Sequence, residues 1–231
     1  MWIVQTGHCE LTIYGPVIII WRLSNIPVKE ITIPTTRDQI ILAACALLEK
    51  QGYSATGLNE IVKESGAPKG SLYYYFPDGK EQIVSEAVLF AGNILVERMR
   101  GELARYDNPI QALYEYIMRL AGKVEEKNFA AGNPLTIVAV EAAGSSERIS
   151  QACREVYAQI QDVLQEKMVC SGMPDAEAAE QARLILASLE GCIILSRIYR
   201  TADPLRTLAG HLKDSLSQSE PTPIPRTENS V

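Results

Sequence analysis

The feature that most constrains the fold of this chain is a pair of short helical segments joined by a tight turn, between residues 57 and 76. The first segment is expected to end at Gly66, because glycine readily takes the backbone conformation that ends a helix. The second begins at Pro68, which the first turn of a helix tolerates, and places Leu72 and Phe76 on one side. The pattern predicts a helix-turn-helix whose second helix has an apolar inner side and a polar outer side.

A longer helix precedes this pair. Its apolar residues recur at the spacing of one helical face: Ile40, Ala44, Leu47 and Leu48. Thr36 and Gln39 are predicted to form its capping box, and Gly52 is predicted to end it. The three helices would together form one small N-terminal domain.

The rest of the chain shows helical patterns divided by prolines. Six segments are expected, at about residues 80–106, 109–127, 134–143, 146–169, 174–200 and 204–216. Residues 1–34 mix short apolar clusters with glycine and proline and are expected to be a poorly ordered extension. Residues 217–231 hold three prolines and few apolar side chains, which favours a disordered tail. The sequence therefore predicts an all-α fold.

The N-terminal extension gives no sign of a membrane segment. Its apolar run from Val17 to Trp21 is too short to span a bilayer, and no basic segment precedes it as in a signal peptide. No methionine follows Met1 before Met99, so one hypothesis places the native start at an alternative codon, for example at Val28. We expect a cytoplasmic protein without a membrane partner.

The net charge of −6 would by itself argue against a nucleic-acid partner. The charge is unevenly distributed, however, because residues 35–80 carry five basic and five acidic side chains and the acidic excess lies elsewhere. A neutral helix-turn-helix domain would bind DNA only where several contacts are arranged geometrically. Weak non-specific affinity is expected.

Cysteine and histidine usage excludes several kinds of site. The five cysteines are an odd number and are widely spaced, which favours reduced thiols in a cytosol over a disulfide framework. No C-x-x-C pair occurs and there are only two histidines, so no metal and no cofactor are expected. The chain also lacks a P-loop, a G-x-G-x-x-G motif and a nucleophile elbow, so it is not expected to be an enzyme.

The stretch from Thr56 to Glu81 reads TGLNEIVKESGAPKGSLYYYFPDGKE. It closely resembles the DNA-binding signature of the tetracycline-repressor (TetR) family. Its APKGS and FPDGK segments are similar to the subgroup that includes lincomycin-resistance and flavonoid-responsive repressors. Many relatives have a capping serine or threonine where this chain has Pro68, so this chain departs from the family at one side-chain phosphate contact. The resemblance implies a DNA-binding domain at residues 35–80 and a ligand-binding and dimerisation domain at residues 81–216.

Seven residues are predicted to contact DNA: Thr56, Lys69, Gly70, Ser71, Tyr73, Tyr74 and Lys80. A helix N-terminus offers backbone N–H groups, so Gly70 and Ser71 could approach phosphates or base edges, and Lys69 could reach a guanine. The two tyrosines and Lys80 are expected to donate to phosphates. The resemblance implies that Thr56 clamps a backbone phosphate. Tyr75 is expected to pack in the core.

The segment from Leu184 to Leu195 is apolar almost all round. Such a helix needs cover on two sides, which fits the core on one side and a second subunit on the other. The resemblance likewise implies that the last two helices of each subunit form a four-helix interface in a homodimer. The small residues Ala187, Ser188 and Gly191 would allow close approach.

A ligand site is expected inside the helical body. Its candidate lining consists of Phe90, Met99, Tyr114, Met118, Val138 and Tyr157, for which ordinary core packing is the alternative. Glu141 and Glu190 lie in apolar sequence surroundings, so each carboxylate needs a partner. Glu141 is a candidate to orient a polar ligand group, with a structural hydrogen bond as the alternative, which is favoured more strongly for Glu190.

These observations predict a ligand-responsive repressor that binds a palindromic operator in double-stranded DNA as a homodimer. A small hydrophobic or aromatic inducer would release it. The alternative is a regulator that senses oxidants through Cys153, Cys170 or Cys192. Each of these cysteines could instead pack as a small apolar residue.

Overall fold

The structure is a computed structural model that describes residues 11–13, 19–21, 35–129 and 134–217. Helices make up most of this described part, and the predicted all-α fold is confirmed. They are α1 (Thr36–Ala55), α2 (Leu58–Ser65), α3 (Lys69–Tyr75), α4 (Lys80–Leu103), α5 (Pro109–Glu126), α6 (Pro134–Ala142), α7 (Glu147–Val169), α8 (Asp175–Tyr199) and α9 (Asp203–Ser217). Each agrees with a segment expected from the helical pattern to within a few residues at its ends.

Two short strands precede the helices. β1 (Leu11–Ile13) and β2 (Ile19–Trp21) pair antiparallel, with Leu11 opposite Trp21. This hairpin lies within the segment that was expected to be poorly ordered, and the helical pattern of the sequence did not predict it. Of the tail expected at residues 217–231, Ser217 is the last residue of α9 and the others lie outside the described residues.

The N-terminus of α1 is capped one residue earlier than expected. Thr35 and Asp38 form the capping box, in which Thr35 Oγ1 accepts from the Asp38 N–H at 3.2 Å and Asp38 Oδ2 accepts from the Thr35 N–H at 3.0 Å. The predicted pair of Thr36 and Gln39 was therefore wrong. The carboxylate of Asp38 also suits the positive end of the helix dipole, which a neutral glutamine side chain does not exploit.

The contacts divide the chain into two compact units. The first comprises Met1–Val96 and Ala131–Gln159, and the second comprises Glu97–Ala130 and Ile160–Val231. In the first unit α1 packs against α2, α3 and α6, and the core includes Ile40, Leu48, Ile61, Leu72 and Phe76. The predicted domain boundary at residue 80 is a division by function and stays a prediction. Across that boundary, α6 packs against α1.

In the second unit α9 packs against both α5 and α8. The Glu102 carboxylate is largely buried there and accepts from Arg119 Nε at 3.3 Å and Lys123 Nζ at 3.1 Å. These two cations compensate a charge that would otherwise be costly to bury. Burial and the nearby Glu102 raise the pKa of Tyr116 to about 12.

Two negative findings concern the described residues only. None of their helices combines the length and apolar character that a bilayer-spanning segment needs. Nor do they bring together three or more His, Cys, Asp or Glu side chains in an arrangement suited to a metal ion.

Candidate DNA-binding face and ligand body

The turn between α2 and α3 is short because Gly66 takes the left-handed conformation, with φ 66° and ψ 7°. The Ser65 hydroxyl stabilises the turn, accepting from the Ala67 N–H at 3.3 Å and donating to the Val62 carbonyl at 3.1 Å. Pro68 precedes α3 and provides no side-chain cap. An uncapped helix N-terminus leaves backbone N–H groups for other acceptors.

The two sides of α3 differ sharply in burial. Leu72 and the adjoining Phe76 are fully buried and anchor the helix on the core of the first unit. On the opposite side Tyr73 is 52% exposed and Tyr74 is 79% exposed, and Lys69 and Gly70 are also exposed. Ser71 and Tyr75 are half-buried. The structure therefore presents four of the predicted DNA-contacting residues together on one outer face.

The packing of Tyr75 was expected to be internal. Its ring is half-buried and meets the Tyr74 ring edge to face, with 5.0 Å between ring centroids. Tyr75 is therefore less exposed than Tyr74, and its ring packs against the Tyr74 ring.

Thr56 does not suit the phosphate contact predicted for it. The residue has 0% exposure, and its hydroxyl donates to the Gly52 carbonyl at 2.6 Å. A side chain without accessible surface cannot reach a phosphate, so the expectation for Thr56 is corrected. It has a structural role at the C-terminus of α1.

Lys80 is more engaged than a solvated lysine. Its Nζ donates to the Tyr53 carbonyl at 2.7 Å and lies 4.0 Å from the centre of the Tyr53 ring. Burial lowers the pKa of Lys80, and the nearby Glu141 opposes that change. A phosphate contact from Lys80 would have to compete with these interactions.

The predicted ligand residues are distributed over both units. Phe90, Val138, Glu141 and Tyr157 belong to the first unit, and Met99, Tyr114 and Met118 belong to the second. Met99 and Val138 are buried, and Tyr114, Met118 and Tyr157 are half-buried. Phe90 is 41% exposed, so its ring is less enclosed than a residue lining a cavity should be.

Glu141 is not enclosed by apolar side chains, as its sequence surroundings suggested. The residue is exposed, and its carboxylate accepts from the Ser54 N–H at 2.8 Å. Its partner therefore lies near the C-terminal end of α1, and the sequence pattern offers no means of predicting this. The structural hydrogen bond is the alternative that the contact supports.

The predicted dimer face on α8 is open. Ala187 and Ser188 are exposed and Gly191 is partly exposed. The exposed part of α8 also carries large apolar side chains: Leu184, Ile194, Leu195, Ile198 and Tyr199. The inner side of α8 is buried through Ala178, Ala182, Ile185 and Leu189.

Comparison with known proteins agrees with this arrangement. Residues 40–87 match the family described as "Bacterial regulatory proteins, tetR family", and residues 109–211 match "Transcriptional regulator LmrA/YxaF-like, C-terminal domain". The chain is 36% identical to the uncharacterised transcriptional regulator YxaF of Bacillus subtilis, over 75% of this chain and 91% of that protein. It is 34% identical to the transcriptional regulator LmrA of the same organism, over 79% and 97%.

A solved structure shows the same fold. The reduced form of NemR from E. coli superposes with a TM-score of 0.68 at 20% identity, covering 78% of this chain and 96% of that chain. The two domains matched by family, the identity with the Bacillus regulators and the shared fold lead to one conclusion. The chain belongs to the TetR family of bacterial transcriptional regulators, with a C-terminal domain of the LmrA/YxaF-like type.

Proposed function

We propose that this transcriptional regulator is a repressor that reads a palindromic operator through α3, binds it as a homodimer and is released by a small hydrophobic or aromatic inducer. The observation that carries the proposal is the outer face of α3. Lys69, Tyr73 and Tyr74 are exposed there, while Leu72 and Phe76 are buried and anchor the helix from the other side. Exposed tyrosine and lysine donors on a short helix suit the phosphates and base edges of a major groove.

The proposed twofold dimer follows from the small size of the exposed face of α3. A seven-residue helix contacts too few base pairs for useful specificity, and a twofold dimer doubles the number of base pairs read. The exposed apolar side of α8 supports such a dimer, because contiguous apolar side chains on a surface favour association. Its small residues, Ala187, Ser188 and Gly191, would let two α8 helices approach closely.

Induction requires that a ligand prefer a state of the dimer that does not fit the operator. The buried and half-buried residues Met99, Tyr114, Met118, Val138 and Tyr157 stay proposed as ligand-contacting residues. Methionine adapts to irregular shapes and tyrosine offers a polar tip to an aromatic compound. A 100-fold release from DNA would need a coupling free energy of about 2.7 kcal/mol.

The oxidant-sensing alternative has less support. Burial raises the pKa of both Cys153 and Cys192, which disfavours the thiolate that reacts with oxidants. Cys170 is exposed, but a single exposed thiol is not evidence for a sensor. We therefore retain the ligand-responsive repressor as the proposed function.

The proposal is tested by selecting DNA duplexes from a randomised pool with the full-length protein and measuring their binding by fluorescence anisotropy. Lys69→Ala and Tyr73→Ala should each weaken binding to the selected duplex by roughly 10- to 100-fold, the value of one good contact. Arg154→Ala is the control, because Arg154 is an exposed cation on α7 whose side chain bonds Glu147 and Gln151 of its own helix. Full affinity in both α3 variants would refute recognition through α3.

The inducer is sought with the same duplex. Flavonoids, lincosamide-like antibiotics and other hydrophobic compounds are screened for release of the labelled DNA and for a change in protein fluorescence. If no compound binds and operator affinity follows thiol oxidation instead, the ligand-responsive function is refuted.

A further inference from the structure

The C-terminal part of α1 contains a break that leaves backbone groups in need of partners. Gly52 has φ 79° and ψ −178°, which interrupts the helical hydrogen-bond pattern before α2 begins. We name residues 52–56 the hook. Two bonds close it internally, since the Gly52 carbonyl accepts from the Thr56 hydroxyl at 2.6 Å and the Tyr53 carbonyl accepts from the Thr56 N–H at 3.2 Å.

Two charged side chains complete the bonding of the hook from other helices. Lys80, the first residue of α4, donates through Nζ to the Tyr53 carbonyl at 2.7 Å. Glu141 of α6 accepts from the Ser54 N–H at 2.8 Å through Oε2. Hydrogen bonds with a charged partner are stronger than those between neutral groups. The hook is therefore held by α4 on its carbonyl side and by α6 on its N–H side.

The fit of Glu141 against the hook is close. A Cβ atom at Gly52 would lie 2.5 Å from Glu141 Oε1, closer than such atoms approach in folded proteins. The carboxylate thus occupies the space that any side chain at position 52 would fill. Gly52 meets two requirements at once: the positive φ and the close approach of the carboxylate.

The segment that joins α6 to α7 makes two more contacts, both with the chain between the end of α3 and the first turn of α4. Ser146 Oγ donates to Glu81 Oε2 at 2.7 Å, and Arg148 Nη2 lies 2.8 Å from Asp78 Oδ2. Asp78 and Glu81 flank the start of α4, directly after α3. We name residues 141–148 the α6–α7 corner. The corner bonds to the chain just before α2 and again just after α3, so its contacts bracket the helix-turn-helix on both sides.

We propose that the α6–α7 corner is a clamp that sets the placement of α3, and that Glu141 is a positioning residue for operator recognition. Base-edge contacts tolerate little displacement, so a helix that reads bases must be held by its support. The clamp provides this support from a part of the chain that is distant in sequence. The proposal rests on the proposed function, and it reassigns Glu141 from ligand contact to positioning.

The first test measures amide hydrogen exchange by mass spectrometry on the purified full-length protein, in the association state in which it is obtained. Glu141→Ala should accelerate amide exchange in the hook by roughly tenfold, the loss expected for one hydrogen bond to a charged group. Glu141→Gln keeps an acceptor oxygen and should retain most of the protection. Glu155→Ala is the matched control, since Glu155 is an exposed carboxylate on α7 that lies outside the α6–α7 corner.

The second test measures DNA binding with the duplex selected by the unmodified protein and with a random-sequence duplex of equal length. Glu141→Ala should weaken binding to the selected duplex by roughly tenfold. Binding to the random duplex should be unchanged, because the variant protein keeps the exposed side chains of α3 that contact phosphates. Glu141→Gln should restore most of the selectivity. The double variant Ser146→Ala with Arg148→Ala, which removes both contacts after α3, should lower selectivity as well.

Several outcomes would overturn the clamp. Unchanged exchange in the hook of a folded Glu141→Ala protein would refute the bond as a support. Faster exchange with full selectivity would show that the bond does not position α3. If Glu141→Ala fails to fold, full selectivity in the double variant Ser146→Ala with Arg148→Ala refutes the clamp. An unmodified protein that enriches no DNA sequence would refute the proposed function itself, whatever the exchange data show.

Discussion

At Gly52 the backbone takes a conformation that is nearly confined to glycine. Gly66 has the left-handed conformation, with φ 66° and ψ 7°, and a Cβ atom there would meet no other atom within 4 Å. Alanine at position 52 would have to adopt the strained backbone and also displace the Glu141 carboxylate from the Ser54 N–H. We expect Gly52→Ala to lower the free energy of unfolding by about 3 kcal/mol. Gly66→Ala, with strain alone, should cost about 1 kcal/mol. Urea denaturation of both variants measures the difference.

Equal losses in the two glycine variants would contradict the role assigned to the Glu141 contact. The double variant Gly52→Ala with Glu141→Ala separates the two costs further. It should lose little more stability than Gly52→Ala alone, because both substitutions remove the same bond.

The cysteines differ in reactivity for physical reasons. Burial raises the pKa of Cys45 to about 12, and it raises the pKa of Cys153 and Cys192 as well, whereas Cys170 is exposed. Thiol reagents attack the thiolate, which a raised pKa makes scarce at neutral pH. Iodoacetamide at pH 7.5 should therefore modify Cys170 well before these three, and their labelling should increase as the pH rises. Peptide mapping after timed quenching gives the order; rapid labelling of Cys192 would reopen the oxidant-sensing alternative.

At the level of helices, the start of α1 depends on the Thr35 and Asp38 box. Removing a side chain that caps a helix typically costs about 1 kcal/mol. Thr35→Ala should lower the free energy of unfolding by that amount, while Thr36→Ala, one residue inside the helix, should be close to neutral. Thermal unfolding of the two variants decides between them, and a larger loss in Thr36→Ala would restore the cap expected from the sequence.

The two sides of α8 differ in burial. Its buried side packs within the second unit, and its other side leaves Leu184 56% exposed and Ile198 65% exposed. Apolar surface of this extent is costly to hydrate, at roughly 25 cal/mol for each Å². Covering it with a second copy of α8 would recover that cost, which is why the dimer is proposed there.

For the whole molecule, the dimer proposal predicts a selective effect of Gly191→Trp. A Cβ at Gly191 meets no atom within 4 Å of the same chain, so the chain itself has room for a larger side chain. A tryptophan in a close helix–helix interface would overpack it by roughly 1–3 kcal/mol or more. We expect folded monomers or aggregates with weakened operator binding, measured by sedimentation velocity and anisotropy.

The control for this variant is Gly101→Trp, at an exposed helical glycine of α4 that also has open space around it. It should leave the association state unchanged. A Gly191→Trp protein that stays fully dimeric and binds the selected duplex normally would place the interface on another surface.

Local pattern was sufficient for the helices and for the outer face of α3. The spacing of Leu72 and Phe76 predicted which side of α3 is buried, and Tyr73 and Tyr74 followed as exposed residues. Such predictions succeed because helical periodicity and glycine or proline punctuation act over a few neighbouring residues. The sequence therefore determined by itself the all-α fold, the helix boundaries to within a few residues, and the family.

Tertiary structure alone decided which groups Thr56 and Glu141 bond. The Thr56 hydroxyl turns inward to the Gly52 carbonyl, and Glu141 bonds Ser54 across 87 residues of sequence. No periodicity encodes either choice, because each depends on where the break in α1 places unpaired backbone groups and on which helix packs beside them. Burial and long-range hydrogen bonding thus assigned these two side chains, where chemical type and spacing left several roles open.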